Sequence, residues 1–567
     1  MASAHSEHVE HFDAVVVGSG FGGAVSAYRL AEAGLSVCLL ERGKAYPPGS
    51  FPRTPYEMGR NFWQPDDGLY GLFDVRGFRR KLWCLLSSGL GGGSLIDANT
   101  LLRKDERWFV EEDAKGGYVP WPVTRAELDP HYDRVEQMLG AQRYPYPTTP
   151  KTRQMQHAAQ RLGLEWQPLK LAITFANDGC APEIGSPIVG PENLHGVPRF
   201  TCRLCGECNL GCNFGSKNSL DLNYLTRAWQ CGAEIRTLCE AREIEPREGS
   251  YVIRYIERSE EKRAGSLVEI EADQLILAAG TLGTTELLLR NRSRFPLLSP
   301  MLGRRFSGNG NLLTFVFNAR ETINGEMRPR LLEPSRGPVI TSAIRLPDSV
   351  AGGDGPGGYI EDAGYPLFLD WALELTRPHA LGRLAGFAGR RLWALLSGDA
   401  ASNLGRELAA ALGSGTHSVT SLPLAAMGRD RASGVIRLRH GQLDIDYDSD
   451  DSREIVERLR STAADIARVW QGDFQPNAIK AFGRAISVHP LGGCAMGRHR
   501  GDGVVDAHGE VFGYPGLFIA DGSVLPGSVG ANPALTIAAL ADHFADCIIN
   551  TAPRQNIRSR VSLSHWS

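Results

Sequence analysis

At 567 residues the chain is too long for one simple core, so two or three subdomains are expected. Its 42% hydrophobic and 22% charged content is that of a globular protein, and a formal net charge of -3 without a dense Lys/Arg tract argues against a nucleic-acid binder. No apolar run reaches the roughly eighteen residues that a membrane helix needs. The opening MASAHSEHVEHFDAVVVG also lacks a basic segment followed by an apolar one, and the cysteines are eleven, an odd number. A reducing cytoplasm is the expected location, where structural disulfides are disfavoured.

The first element is read from FDAVVVGSGFGGAVSAYRLAEAGLSVCLLERG, from Phe12 to Gly43. Val15, Val16 and Val17 form the β-branched run of a buried parallel strand. Gly18, Gly20 and Gly23 follow at G-x-G-x-x-G spacing. An amphipathic helix comes next, with Ala24, Ala27, Tyr28 and Ala31 on one face. Gly34 stops that helix, Val37 to Leu40 make a second strand, and Glu41 stands at its end. The first glycine permits a tight turn, the second lets backbone approach a pyrophosphate, and the third lets helix and strand pack closely. The helix N-terminus offers free N–H groups to phosphate, and the acid accepts from ribose hydroxyls. With every part in register the motif predicts a bound dinucleotide. A start so near the N-terminus and a terminal Glu are typical of FAD enzymes, and NAD stays open on this motif alone.

Three further stretches point at a ligand. In SGLGGGSLIDAN, from Ser88 to Asn99, consecutive glycines between apolar flanks predict a buried turn whose main chain lies flat against a ring or phosphate. ADQLILAAGTLGTTELLL, from Ala272 to Leu289, reads as strand, small-residue turn and helix. SVHPLGGCAMG at 487–497 precedes a strand at Leu517 to Ala520, a turn at Asp521-Gly522, and a long apolar helix opened by Asn532-Pro533.

Together these stretches resemble the glucose–methanol–choline (GMC) oxidoreductases, and most closely their cholesterol-oxidase-like bacterial branch. HPLGG followed some forty residues later by ANPALT is the most specific pair. The resemblance runs from Val15 to about Leu540 and implies an α/β fold. A Rossmann-like FAD-binding domain is expected in three segments, 10–125, 200–315 and 476–550. A mixed-sheet substrate domain is expected in two, 126–199 and 316–475. It also implies FAD as cofactor, and oxidation of an alcohol by hydride transfer to flavin N5. Carried over residue by residue, Gly18, Gly20, Gly23 and Glu41 match pyrophosphate and ribose contacts. Gly92, Gly93, Ser94 and Asn99 lie in the stretch matching the loop along the flavin. Asp521 and Gly522 match the turn over the ribityl chain. His489 matches the active-site histidine and Asn532 its amide partner. Other branches have a second His at that point, so Asn532 places the chain on the sterol-oxidase side.

Loss of hydride from a carbinol carbon builds positive charge there, which loss of the hydroxyl proton relieves. A neutral imidazole can accept or orient that proton, and an amide can fix the hydroxyl without titrating. Glu361 is a counterpart of the base that cholesterol-oxidase-like proteins carry in this region; the alternative is an exposed turn acid after DGPGG. The segment 365–415 is Leu/Ala-rich and dotted with Arg. It reads either as helices capping a core or as a lid over an apolar pocket that also touches a membrane, here the inner membrane.

CRLCGECNLGC places Cys202, Cys205, Cys208 and Cys212 at ferredoxin-like spacing. Cys202, Cys208 and Cys212 alone resemble the iron–sulfur run of the bacterial FAD glucose dehydrogenases of the same family. Three readings stand: one iron–sulfur cluster, which could also recruit Cys180 or Cys231; buried thiols; or zinc. A cluster would send electrons to a quinone or carrier protein, and its absence would leave O2 as acceptor. The expected activity is FAD-dependent oxidation of a bulky apolar secondary alcohol, sterol- or terpenoid-like. The rivals are a flavoenzyme acting on a C–C bond or isomerising an enone, and a flavin/iron–sulfur electron-transfer or redox-sensing protein with no alcohol substrate.

Overall fold

The computed structural model describes residues 9–79, 82–112, 117–260, 262–375, 378–397, 404–476 and 485–551. The first eight residues of the N-terminal reading, 376–377 and 398–403 of the insertion, and 477–484 of the third FAD segment lie outside them. Two sheets organise the chain. The first runs in the order Glu234–Arg236, Val37–Leu40, Glu10–Val17, Lys262–Leu277, Ser250–Ser259, Cys239–Arg247, with Leu517–Ile519 added on Lys262–Leu277. Its central pairs are parallel and bring Val17 beside Leu40 and Leu277, and Leu277 beside Ile519. Four strands thus finish together at one edge. That edge is where open α/β sheets hold ligands, because the loops leaving the strands diverge around a crevice. Val15, Val16, Leu275 and Ile276 are wholly buried, as strands covered on both faces require. Helix Phe21–Glu32 covers one face and packs on helix Ala534–Thr551.

The second sheet is antiparallel, in the order Glu165–Pro168, Ser342–Leu346, Gly358–Asp362, Leu422–Gly428, Leu312–Phe317, Asp473–Gln475. Side chains alternate across it. Ile344, Ile360, Leu424 and Val316 meet helices Pro150–Leu162 and Arg453–Val469 in a separate core. The latter helix buries Ile455, Leu459, Ala463 and Ile466 as one stripe at helical spacing. The opposite sheet face presents Leu313, Phe315, Glu361 and Ala425 to a cleft shared with the first sheet's edge. Between Asp362 and Leu422 the insertion folds into helices Leu367–Leu375, Pro378–Ser397 and Leu404–Leu412. Among the described residues no helix is long and apolar enough to cross a membrane.

Candidate active site

The cleft holds about 1010 Å³ and is lined from both sheets. A single-ligand pocket usually takes roughly 300–1,000 Å³, so there is room for a large cofactor and a further molecule. At the first sheet's edge the glycines act as their spacing demands. Gly18 turns with φ +102°, and a Cβ on Gly23 would lie 1.9 Å from the Gly18 carbonyl oxygen, so helix and strand meet only because neither carries a side chain. A Cβ on Gly20 or Gly93 would meet no protein atom within 4 Å, and both residues line the cleft. Helix Phe21–Glu32 has no side chain capping its N-terminus and no acid in its first turn. Its orphan N–H groups and positive end therefore face a place suited to phosphate. Glu41 is buried at the end of the second strand. It accepts from the Ser19 hydroxyl (2.6 Å) and amide (3.1 Å) through one oxygen, and from the Gly43 amide (2.8 Å) through the other. Asp521 accepts from the amides of Gly280 (3.0 Å) and Ser523 (2.8 Å), stapling the C-terminal turn onto the AAGT turn. These features fit the adenylate and pyrophosphate of a dinucleotide.

The loop stretch behaves less uniformly. Gly92 packs on Gly20, and Gly92 and Gly93 line the cleft. Ser94 turns inward, donating to the Gly91 carbonyl (2.7 Å) and accepting from the Leu220 amide (3.0 Å). Asn99 is buried in left-handed conformation, φ 64°, without a protein partner for its amide, and its neighbours Ala98 and Thr100 line the cleft instead.

His489, Asn532 and Glu361 line the same cleft, although they come from three separate segments. Glu361 is not a turn acid: it sits mid-strand, paired with Ala343 and Ala425, and is fully buried. Asn532 donates to one of its carboxyl oxygens (3.4 Å). The other oxygen of Glu361 and the Asn532 Oδ1 are buried without a protein partner. Burial pushes the Glu361 carboxyl up to about 8, against the hydrogen bond from Asn532. Burial lowers His489 to about 4, so its ring is neutral at ordinary pH.

The partner of His489 escaped the sequence reading. The Val488 amide can only donate, and it donates to Asn311 Oδ1 (3.1 Å). That turns Asn311 Nδ2 toward His489 Nδ1 (3.0 Å). An amide NH2 has no acceptor, so Nδ1 accepts and the ring proton resides on Nε2. Of the two roles expected of a neutral imidazole, accepting or orienting the substrate proton, a ring with Nδ1 engaged by Asn311 suits the second. Two residues earlier, fully buried Asn309 accepts from the amides of Val529 (3.0 Å) and Gly530 (2.9 Å) and donates to the Ala531 carbonyl (2.9 Å). The short run Asn309-Gly310-Asn311 thus seats both the Asn532 loop and the His489 loop. Its Asn-Gly pattern reads in sequence only as a turn.

The four cysteines also come together, around a cavity of about 20 Å³. This holds about one water. Cys202, Cys205, Cys208 and Cys212 form no disulfide, and Cys180 and Cys231 are exposed. Among the described residues no three His, Cys, Asp or Glu side chains are arranged to hold a metal ion. Burial raises the Cys202 and Cys208 thiols and pushes Cys205 up to about 12, whereas metal ligation needs thiolates. Of the three readings, iron–sulfur cluster, buried thiols and zinc, this arrangement lends support to the buried thiols.

A nucleotide cradle joined to a proton-handling cleft defines an oxidoreductase of the dinucleotide-dependent class, and comparison with known proteins narrows it. The GMC oxidoreductase family is matched by two segments, residues 191–306 and 428–541, and an NAD(P)-binding Rossmann-like domain by residues 16–49. A cholesterol oxidase of Mycobacterium tuberculosis is 29% identical across 94% of this chain and 90% of its own. A cholesterol oxidase of Acinetobacter baumannii is 27% identical across 94% and 93%. The crystal structure of a pyridoxine 4-oxidase from "Mesorbium loti" superposes with TM-score 0.58 over 94% of this chain and 98% of its own, at 18% identity, and shares the fold. The chain is thus similar to the GMC oxidoreductases over these two segments, and to cholesterol oxidases along nearly its whole length.

Proposed function

We propose that the protein oxidises the carbinol of a bulky apolar secondary alcohol, sterol- or terpenoid-like. The observation that carries this is the convergence of His489, Asn532 and Glu361 on one cleft. Leu313, Phe315, Ile340, Leu369 and Met427 are among the apolar residues lining it. Gly18, Gly20, Glu41, Gly93 and Asp521 would hold FAD, and bound FAD supplies the acceptor for the hydride. His489 Nε2–H donates to the substrate oxygen and sets the carbinol's orientation. Glu361, once ionised, takes the hydroxyl proton. Asn532 holds the carboxylate in place and presents its own Oδ1 to the same space. With a pKa of about 8 the carboxyl is close to ordinary working pH, where a general base is most effective. The apolar stretch of wall made by Leu313, Phe315, Ile340, Leu369 and Met427 favours a large hydrocarbon over a sugar.

The test is anaerobic mixing of flavin-loaded protein with sterols, terpenoid alcohols, linear alcohols and sugars. Apolar secondary alcohols should bleach the flavin fastest. A flavin reduced only by a carrier protein, and by no alcohol, overturns the reading. For the acceptor we take O2, since the cysteines are not set to hold a cluster; stoichiometric iron and acid-labile sulfide in anaerobically purified protein would refute this. A second reading has its own support. A fully buried carboxyl with one unpartnered oxygen can move a proton between the carbons of an enone. Isomerisation lost in Glu361→Gln and retained in His489→Gln would favour it.

A further inference from the structure

Lys104 is wholly buried, and the site described above makes no use of it. It ends the stretch that leaves the glycine loop, where Thr100 still lines the cleft. Its Nζ donates to the carbonyls of Ser528 (2.7 Å) and Val529 (3.3 Å). The face of Trp121 lies against it, 4.2 Å from Nζ to the ring centroid. Trp121 in turn donates to Glu111 (3.0 Å), and Arg125 donates to the Lys104 carbonyl (2.7 Å). Two carbonyls and a ring face are all electron-rich, which suits the three N–H donors of an ammonium and leaves nothing for an amine lone pair. Burial and Arg429 pull the Lys104 pKa down, while Glu111, Asp348 and Asp105 hold it up. An ammonium is costly to bury, so this placement calls for a role.

The carbonyls it grips lie just before Asn532. Asn309 holds the same loop through the amides of Val529 and Gly530 and the carbonyl of Ala531. The Ser528 hydroxyl adds a bond to the Asp430 carbonyl (3.0 Å). A Cβ on Gly530 would lie 2.8 Å from the ring of Trp108, so the turn that follows Lys104 packs directly on the loop. The backbone is thus fixed up to Asn532, whose Nδ2 reaches Glu361 at 3.4 Å, a long bond that a small shift would break. We propose that Lys104 is a positioning residue: by clamping the Ser528 and Val529 carbonyls it holds the Asn532 amide against the Glu361 carboxylate. Burial keeps that carboxyl protonated, with Asp362 adding to the effect, and the Asn532 hydrogen bond opposes both. His489, neutral in the same cleft, adds no charge. Loosening Asn532 should therefore raise the pH at which Glu361 ionises. The clamp rests, for its purpose, on the reading of Glu361 as the base.

The experiment is a pH titration of the Glu361 carboxyl by infrared difference spectroscopy on the full-length, flavin-loaded protein, with Glu361→Gln identifying its band. Lys104→Met should raise the midpoint by at least about half a pH unit, in the same direction as Asn532→Ala. Added to Asn532→Ala, the same substitution should move the midpoint no further. Loss of a nearby positive charge, or a general loosening of the fold, would instead act in both backgrounds. An unmoved or lowered midpoint in Lys104→Met, or a rise of equal size with and without Asn532, overturns the proposal. Lys104→Gln, which keeps a donor on an uncharged side chain, carries the same test and the same overturning results where Lys104→Met does not fold. The titration uses no alcohol, so an unmoved midpoint leaves the alcohol reading standing, and a flavin that no alcohol bleaches leaves the titration standing.

Discussion

In the glycine loop at 18–23 the backbone makes the site, whereas in the cysteine run at 202–212 any site would have to be made by side chains. Both are short and regularly spaced. The glycines need only the strand before them and the helix after them, and those neighbours are local in sequence. Their φ angles and close approaches then follow within one βαβ unit. The thiols need a shared centre, open space for an ion and a field that ionises them. The structure gives them a cavity of about 20 Å³, and burial pushes the Cys205 thiol up to about 12. Spacing is a strong signal when the chemistry resides in the main chain, and a weak one when it depends on where several side chains point.

The largest effect that would break this contrast is at Gly23. A Cβ there would lie 1.9 Å from the Gly18 oxygen, so Gly23→Val must part helix from strand. Overpacking of that depth costs about 3 kcal/mol or more, roughly two orders of magnitude in flavin retention, read from the visible absorbance of the purified protein. Retention of flavin at wild-type level would mean that the backbone does not make the site.

Next comes Glu361, where the side chain matters and the fold places it. Glu361→Gln should cut kcat/KM for the alcohol by about 10²–10⁴. Wild-type kcat/KM should rise with pH through about 8, because the base works only when ionised, and the variant should lose that limb. The folded pKa lies above the ordinary 4.5, so the native state holds the proton more tightly than the unfolded chain. That stabilisation is complete at low pH and is lost as pH rises toward about 8. Above it, Glu361→Gln should melt at a higher temperature than wild type.

A smaller effect sharpens the comparison at Asn311. Asn311→Leu should lower kcat about 10–100-fold with KM and flavin content nearly unchanged, since it frees the imidazole without touching the cradle. Asn311→Asp should instead draw the ring proton to Nδ1 and shift the pH profile, a change that a purely structural residue would not produce. The smallest effect belongs to the cysteines. Cys208→Ser should leave kcat/KM within about twofold of wild type, as expected of a small packed thiol.

How much was legible follows the same division. The Rossmann-like unit, the second strand with Glu41, the turn at Asp521 and the long C-terminal helix could all be read, because period, glycine and acid lie within about thirty residues of one another. Glu361 could be named but not placed: GGYIED after a glycine-rich turn suits a loop as well as a central strand, and its pairing with Ala343 and Ala425 decides the matter. Asn309 and Asn311 were invisible as site residues, because their partners are far away in sequence. Ser94 lay in the right loop, but its hydroxyl faces Gly91 and Leu220 instead of the cleft. The insertion was legible as apolar helices with arginines. Which side of each helix faced out was not, because that depends on its neighbours.

By itself, then, the sequence determined the dinucleotide cradle and the kind of enzyme that carries it, since backbone conformation is set by residues close together along the chain. Tertiary structure alone decided which partner His489 has, how deeply Glu361 is buried and how the four cysteines pack. Those properties depend on burial and on contacts such as Asn311 to His489, 178 residues apart, and Asn532 to Glu361, 171 apart. Desolvation and hydrogen-bond direction are properties of the packed interior, and no local pattern encodes them.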